Sequence, residues 1–183
     1  MKWVTKDYVH MDRVASPWLI KRFIDPEAEF VFVPWGKEAD RPADATPFSI
    51  AGTELGPHDA DGTTFQKILK KYAINDPALE RLGKVIAAGV AYVMHGYRPG
   101  ADDHLGQVAV GLLAVSEGVM YSMASDPQIL AAGFPLYDAL YAGFKVELHM
   151  EKNGLKPPAP TRPGPGDKID FLRQVLKDAS RSQ

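Results

Sequence analysis

His58 stands in a glycine-flanked loop, Gly56-Pro57-His58-Asp59-Ala60-Asp61-Gly62, with Glu54 just upstream. Neutral imidazole is a common metal ligand, and carboxylates complete a donor set suited to iron, manganese or zinc. Glu54, Asp59 and Asp61 are close enough in sequence to reach the same point. A plainer reading has Asp59 and Asp61 capping the next helix, with His58 a turn residue. His95 and His104 flank a second break, Gly96-Tyr97-Arg98-Pro99-Gly100-Ala101-Asp102-Asp103. The expected metal ligands are therefore His58, Glu54, His104 and Asp103, with His95 a further nitrogen donor. An N-cap at Asp102 or Asp103 explains the second break without metal. Glu117, in an apolar stretch between Ser116 and Gly118, is one more carboxylate candidate.

Asp12-Arg13 forms the second constellation. The Arg13 guanidinium is a rigid donor fork suited to an oxyanion, and a nearby helix N-terminus would add amide donors. Asp12, Arg13 and His58 are the expected catalytic residues, and Arg13, Trp18, Lys21 and Arg22 the expected substrate contacts. A structural Asp–Arg pair tying the loop to the helix is the competing reading. Tyr137 and Tyr141 lie four residues apart on one helix face, a spacing that serves core or interface packing. Asp138 between them is a candidate for orienting a histidine. Glu147-Leu148-His149-Met150-Glu151 reads as a solvated helix end, where His favours the dipole.

The elements that must position these groups are legible in part. Lys2–Thr5 and Glu29–Pro34 read as strands, and Phe48-Ser49-Ile50 as a third after a polar loop. Ser16-Pro17 reads as a helix start, with Ser as cap and Pro in the first turn, and Asp25-Pro26 ends that helix. Thr63-Thr64-Phe65-Gln66 fits a capping box ahead of Phe65, Ile68, Leu69 and Tyr72 at helical spacing. Asp76-Pro77 opens another helix, whose apolar face carries Leu79, Leu82, Val85 and Ile86. Two more helices are expected from about Asp103 to Met123 and from Asp126-Pro127 to about Met150, the second opened by Ser125-x-x-Gln128. The fold class is α+β, a small N-terminal β layer with a predominantly helical body over residues 1–150. A Pro-rich extension with a short terminal helix follows over 151–183.

Composition narrows the chemistry. The 183 residues include no cysteine, which removes disulfides, thiolate metal sites and a cysteine nucleophile. A net charge of −2 argues against a protein driven onto nucleic acid by phosphate neutralisation. The 16 Gly and 15 Pro exceed average usage, and five of the prolines fall within Lys156–Gly166, a segment suited to extended polyproline II. No uninterrupted apolar run reaches the roughly 20 residues of a membrane span. The Met1–Tyr8 start carries no signal-peptide pattern, so a cytoplasmic location is expected. Phosphate-loop, dinucleotide and nucleophile-elbow motifs do not occur.

Three segments carry a family likeness. They are Met11–Phe30, running into Val33-Pro34; Gly52-Thr53-Glu54-Leu55-Gly56-Pro57-His58, with Phe65 and Lys71-Tyr72 following; and Leu136-Tyr137-Asp138-Ala139-Leu140-Tyr141-Ala142. In this order they resemble the C-terminal domain of the chromate resistance protein ChrB family, from about Lys2 to Phe144. The resemblance implies a role linked to chromate resistance and favours Glu54 and His58 as site residues. Family members usually have a cysteine where Ser16 stands and often a histidine where Pro57 stands. Val90–Leu105 departs from the family pattern, and the segment after Lys145 has no match in it. Full-length members look like regulators with an additional N-terminal region, and a DNA-binding or sensing role carried by that region is not expected of this segment.

The leading expectation is a metal-dependent detoxification protein acting on a small oxyanion or other small molecule, with His58 as the central ligand. A non-catalytic oxyanion sensor built on Arg13 and a helix N-terminus is the alternative. The third reading is an interaction domain forming a homodimer through Tyr137, Tyr141 and the proline tail.

Overall fold

The structure is a computed structural model and describes residues 1–181. Strand β1 (Lys2–Lys6) lies at the centre of a parallel sheet, between β2 (Glu29–Val33) and the short β3 (Thr46–Pro47). Trp3, Val4 and Thr5 are all fully buried, as befits a central parallel strand covered on both faces. Trp3 enters the main core beside Phe48 and Tyr72, whereas Val4 packs with Val33 and Ala45 in a smaller cluster.

Helix α1 (Asp12–Phe23) connects β1 to β2, and the helical body follows with α2 (Thr64–Lys71), α3 (Pro77–Met94), α4 (His104–Ser122), α5 (Asp126–Asn153) and α6 (Gly166–Arg181). This is the α+β architecture that the sequence indicates. Thr63 and Gln66 form the reciprocal capping box of α2. Asp76 accepts from the amides of Ala78 and Leu79 at the head of α3. Asp103 caps α4, accepting from the Gly106 amide at 3.0 Å. Leu79, Leu82, Val85 and Ile86 are all fully buried.

Four local expectations fail, each for a physical reason. Helix α1 begins at Asp12, so Ser16 is not its cap and Pro17 lies inside it. Pro17 cannot donate to the Arg13 carbonyl, but tertiary bonds on Met11 and Asp12 hold the first turn regardless. Phe48-Ser49-Ile50 is not a strand: Ser49 has φ of 52°, which turns the chain after β3. Ser125 makes no side-chain cap at α5, while Gln128 accepts from the Ala124 amide instead. Asp138 orients no histidine; it accepts from Trp18 Nε1 at 2.7 Å and from two nitrogens of Arg22 at 2.9 and 2.8 Å.

The last of these bonds sits on the main seam between α1 and α5. Trp18, Phe23 and Tyr141 meet there edge to face with centroids 5.4–5.9 Å apart, and Tyr137 tilts onto Trp18 at 6.0 Å. Helix α6 returns onto α5 and buries Val175 and Ala179, while the proline segment before it is exposed. Among the described residues, α4 is long and apolar enough to cross a membrane by length and composition; in the fold it packs against α3 and α5.

The α1–α5 seam depends on one glycine. A Cβ at Gly133 would lie 2.6 Å from Val14 Cγ1, and a β-branched side chain cannot swing aside cheaply. Gly133→Ala should therefore lower stability by about 1–3 kcal/mol in chemical denaturation. Gly143→Ala, ten residues further along α5 with nothing near its Cβ position, should gain about 0.5–1 kcal/mol. Equal effects at the two positions would show that the contact does not limit packing.

Candidate functional site: a basic cleft at the strand ends

All three strands run the same way, so the segments leaving their C-terminal ends converge on one side of the sheet. They meet α3 around a cavity of about 250 Å³. Lys6 ends β1 and His10, Met11, Asp12 and Arg13 follow it; Trp35 follows β2, and Ser49 follows β3. His58 and Val90 close the far wall. The crevice outside the carboxyl ends of strands is where open parallel sheets bind ligands.

The backbone of this region is strained and firmly held. Tyr8, Met11 and Ser49 have φ of 54°, 46° and 52°, in the left-handed region that non-glycine residues avoid. Each such residue costs on the order of 1–3 kcal/mol and persists only where its surroundings enforce it. Here the Met11 amide donates to Ser116 Oγ at 2.8 Å, and Tyr137 Oη donates to the Met11 carbonyl at 2.9 Å. The Val9 amide donates to Asp126 Oδ1 at 2.8 Å. Ser49 is fixed by its amide bond to the Leu55 carbonyl and by its hydroxyl, 2.7 Å from that of Thr64.

Arg13 and Asp12 are neighbours with different partners. The Arg13 guanidinium donates to the carbonyls of Lys6, Asp7 and Tyr8 at 2.8–3.1 Å, wrapping the loop around itself. Asp12 is buried and accepts from the amides of Thr64 and Phe65 at 3.0 Å each, and from Ser16 Oγ at 3.1 Å. Its carboxylate thus serves as the anion at the head of α2. Burial still pushes its pKa up, opposed by those three donors and by the nearby His58.

The basic side chains lack an equivalent partner. Lys6 is pushed below its ordinary pKa by burial and then by Arg13, with Glu38 opposing. Arg13 is lowered by burial, which Asp126, Asp12 and Asp7 offset in part. His10 is lowered chiefly by burial, its bond to the Tyr8 carbonyl and the charge of Glu117 opposing and Arg13 assisting. Trp35 covers the group: Lys6 Nζ is 3.9 Å and Arg13 Cζ 5.1 Å from its ring centroid. These cation–π contacts steady the charges without neutralising them.

The other expected site residues stand elsewhere. Glu54 pairs with Lys71 at 2.6 Å and faces a different cavity, while Asp59 pairs with Lys67 at 2.6 Å. Asp103 is a helix cap, and His104 borders an apolar groove between α4 and α5. His95 ends α3 and shares a cavity with His58. Among the described residues, no three His, Asp or Glu side chains converge as a metal-holding group. Trp18 is fully buried, Arg22 is held by Asp138, and Lys21 donates to the Pro26 carbonyl at 3.2 Å; none of them lines the strand-end cleft. Sequence reasoning missed Lys6, His10, Trp35 and Ser49. The signal that finds them is topological, since each ends or follows a parallel strand.

A helical body on a small parallel sheet, with a basic cleft at the strand ends, defines the class of domain. The chain belongs to the family of ChrB C-terminal domains, whose description matches residues 3–144. It is 32% identical over 145 residues to Protein ChrB of Cupriavidus metallidurans, an alignment covering 78% of this chain and 40% of that protein. The chain thus spans less than half the length of that relative. No solved structure matches it.

His10 reports on the cleft. Its pKa lies below the ordinary 6.5, so the folded state binds fewer protons than the unfolded chain just below that value. Stability should therefore fall as pH drops through 6.5 toward the depressed value. His10→Gln should flatten that part of a pH–denaturation series, and NMR should place the wild-type midpoint below 6.5. A midpoint at or above 6.5 would contradict the buried, cation-flanked environment.

Proposed function

We propose that this domain binds a small tetrahedral oxyanion, chromate or an isostere such as sulfate, as a non-catalytic binding or sensing module. Membership of the ChrB family supports a role connected with chromate resistance. One observation carries the reading. Lys6, His10, Arg13 and His58 share a cavity whose acidic lining residue, Asp12, spends its charge on the amides of α2.

The physics favours a dianion. Burial and mutual repulsion raise the energy of Lys6 and Arg13 as cations, and an entering anion relieves both terms. His10 and His58 line the same cavity and add ring nitrogens that can donate to the anion. The cavity, at about 250 Å³, falls below the roughly 300–1,000 Å³ of drug-sized sites, so a compact ligand fits its basic floor. The metal-centred alternative has weaker support, since His58, Glu54 and His104 line different cavities and Asp103 caps α4.

Isothermal titration with chromate and sulfate tests the reading. Saturable binding is expected, weakened about tenfold to a hundredfold in Lys6→Met, the range for one charge-assisted hydrogen bond. Lys6→Arg, which keeps the charge, should recover most of it. Wild-type protein that binds neither anion, or an unaffected Lys6→Met variant, would refute the proposal.

A further inference from the structure

A second cavity, of about 440 Å³, shares His58 and Val90 with the basic cleft. The second cavity runs between the loop ahead of α2 and the last turns of α3. Its wall carries the methyl groups of Ala60, Ala87 and Ala91. Its polar members are engaged locally. Thr63 and Gln66 bond to each other in the capping box of α2. Asp59 is held ionised by Lys67 at 2.6 Å and accepts from the Asp61 amide at 2.9 Å. His95 stands at the exposed rim. The first cavity is therefore small and basic, and the second is larger, apolar-walled and close to neutral.

We propose that the two cavities form one site, whose ligand is an organic oxyanion with a compact apolar body. The tetrahedral head sits among Lys6, His10, Arg13 and one edge of His58. The body passes Val90 and lies against Ala87 and Ala91. His58, bordering both cavities, is the positioning residue that aligns head with body. This inference rests on the oxyanion reading and deepens it. A bare inorganic anion fills only the first cavity, whereas a phosphoryl or similar head carried on an aryl group fills both.

Inorganic phosphate and phenyl phosphate, titrated at a pH where both are dianions, separate the possibilities. Phenyl phosphate should bind at least about tenfold more tightly, the gain expected from burying an aromatic ring's area. Ala87→Leu/Ala91→Leu, which fills the second cavity from partly exposed helix positions, should abolish that gain and leave inorganic phosphate binding unchanged. Ala91→Val replaces the pair, with the same ranking expected, if circular dichroism shows the double variant unfolded. Equal affinity for the two anions, or a gain surviving in the variants, would overturn the two-cavity site while leaving the oxyanion reading intact. Loss of both anions in a folded variant would overturn it as well. Wild-type protein that binds neither anion would end both proposals.

Discussion

Asp12 places one carboxylate between the first turn of α1 and the open amides of α2, and the arrangement of the site follows from it. Three donors, the Thr64 and Phe65 amides and the Ser16 hydroxyl, converge on its two oxygens. Each charge-assisted bond contributes about 1.5–3 kcal/mol, while taking a carboxylate out of water costs several kcal/mol. Burial pushes its pKa up against the pull of those donors. The interaction therefore contributes position more than stability. The two amide bonds tie α1 to the head of α2, and Ser16, one turn along α1, completes the donors around the carboxylate.

The same commitment explains why the cleft is basic. An Asp–Arg dipeptide reads naturally as a self-neutralising pair, yet the two side chains turn to different tasks. Asp12 faces α2, and Arg13 gathers the carbonyls of Lys6, Asp7 and Tyr8. Those carbonyls take three of the guanidinium's five N–H donors without removing its charge. Arg13 consequently still repels Lys6 and His10, while Asp126, Asp12 and Asp7 offset its own burial only in part, and Glu38 and Glu117 oppose at Lys6 and His10. The left-handed Tyr8 and Met11 are what this wrapping requires of the backbone. Bonds from α4 and α5, through Ser116, Asp126 and Tyr137, keep it in place.

Local signals made the helical body legible in the sequence. Capping boxes, Asp-Pro starts and apolar periodicity act within one or two turns, and α2, α3 and α4 begin where those signals put them. Helix α1 escaped because its start is enforced from a distance, by α2 and α4, against the local preference of Ser16-Pro17. Ser49 escaped for the same reason, held by Leu55 and Thr64. At the site, Asp12, Arg13 and His58 stood out by type and spacing. Lys6, His10, Trp35 and Ser49 did not, because they become neighbours only once β1, β2 and β3 are known to be parallel. Glu54 shows the converse error. It is four residues from His58 in the chain, yet it turns to Lys71.

Ser16 joins these strands of argument. The family resemblance places a cysteine there, and a chain without cysteine invites the reading that a reactive thiol has been lost. The structure gives the position another duty: Ser16 is fully buried, absent from the cleft lining, and donates to Asp12. A thiol is a weaker donor than a hydroxyl, so serine here better supports the buried carboxylate that docks α1 on α2. What this side chain offers the site is the placement of Asp12. A side chain at this depth does not line the strand-end cleft, so a thiol here would not reach it either.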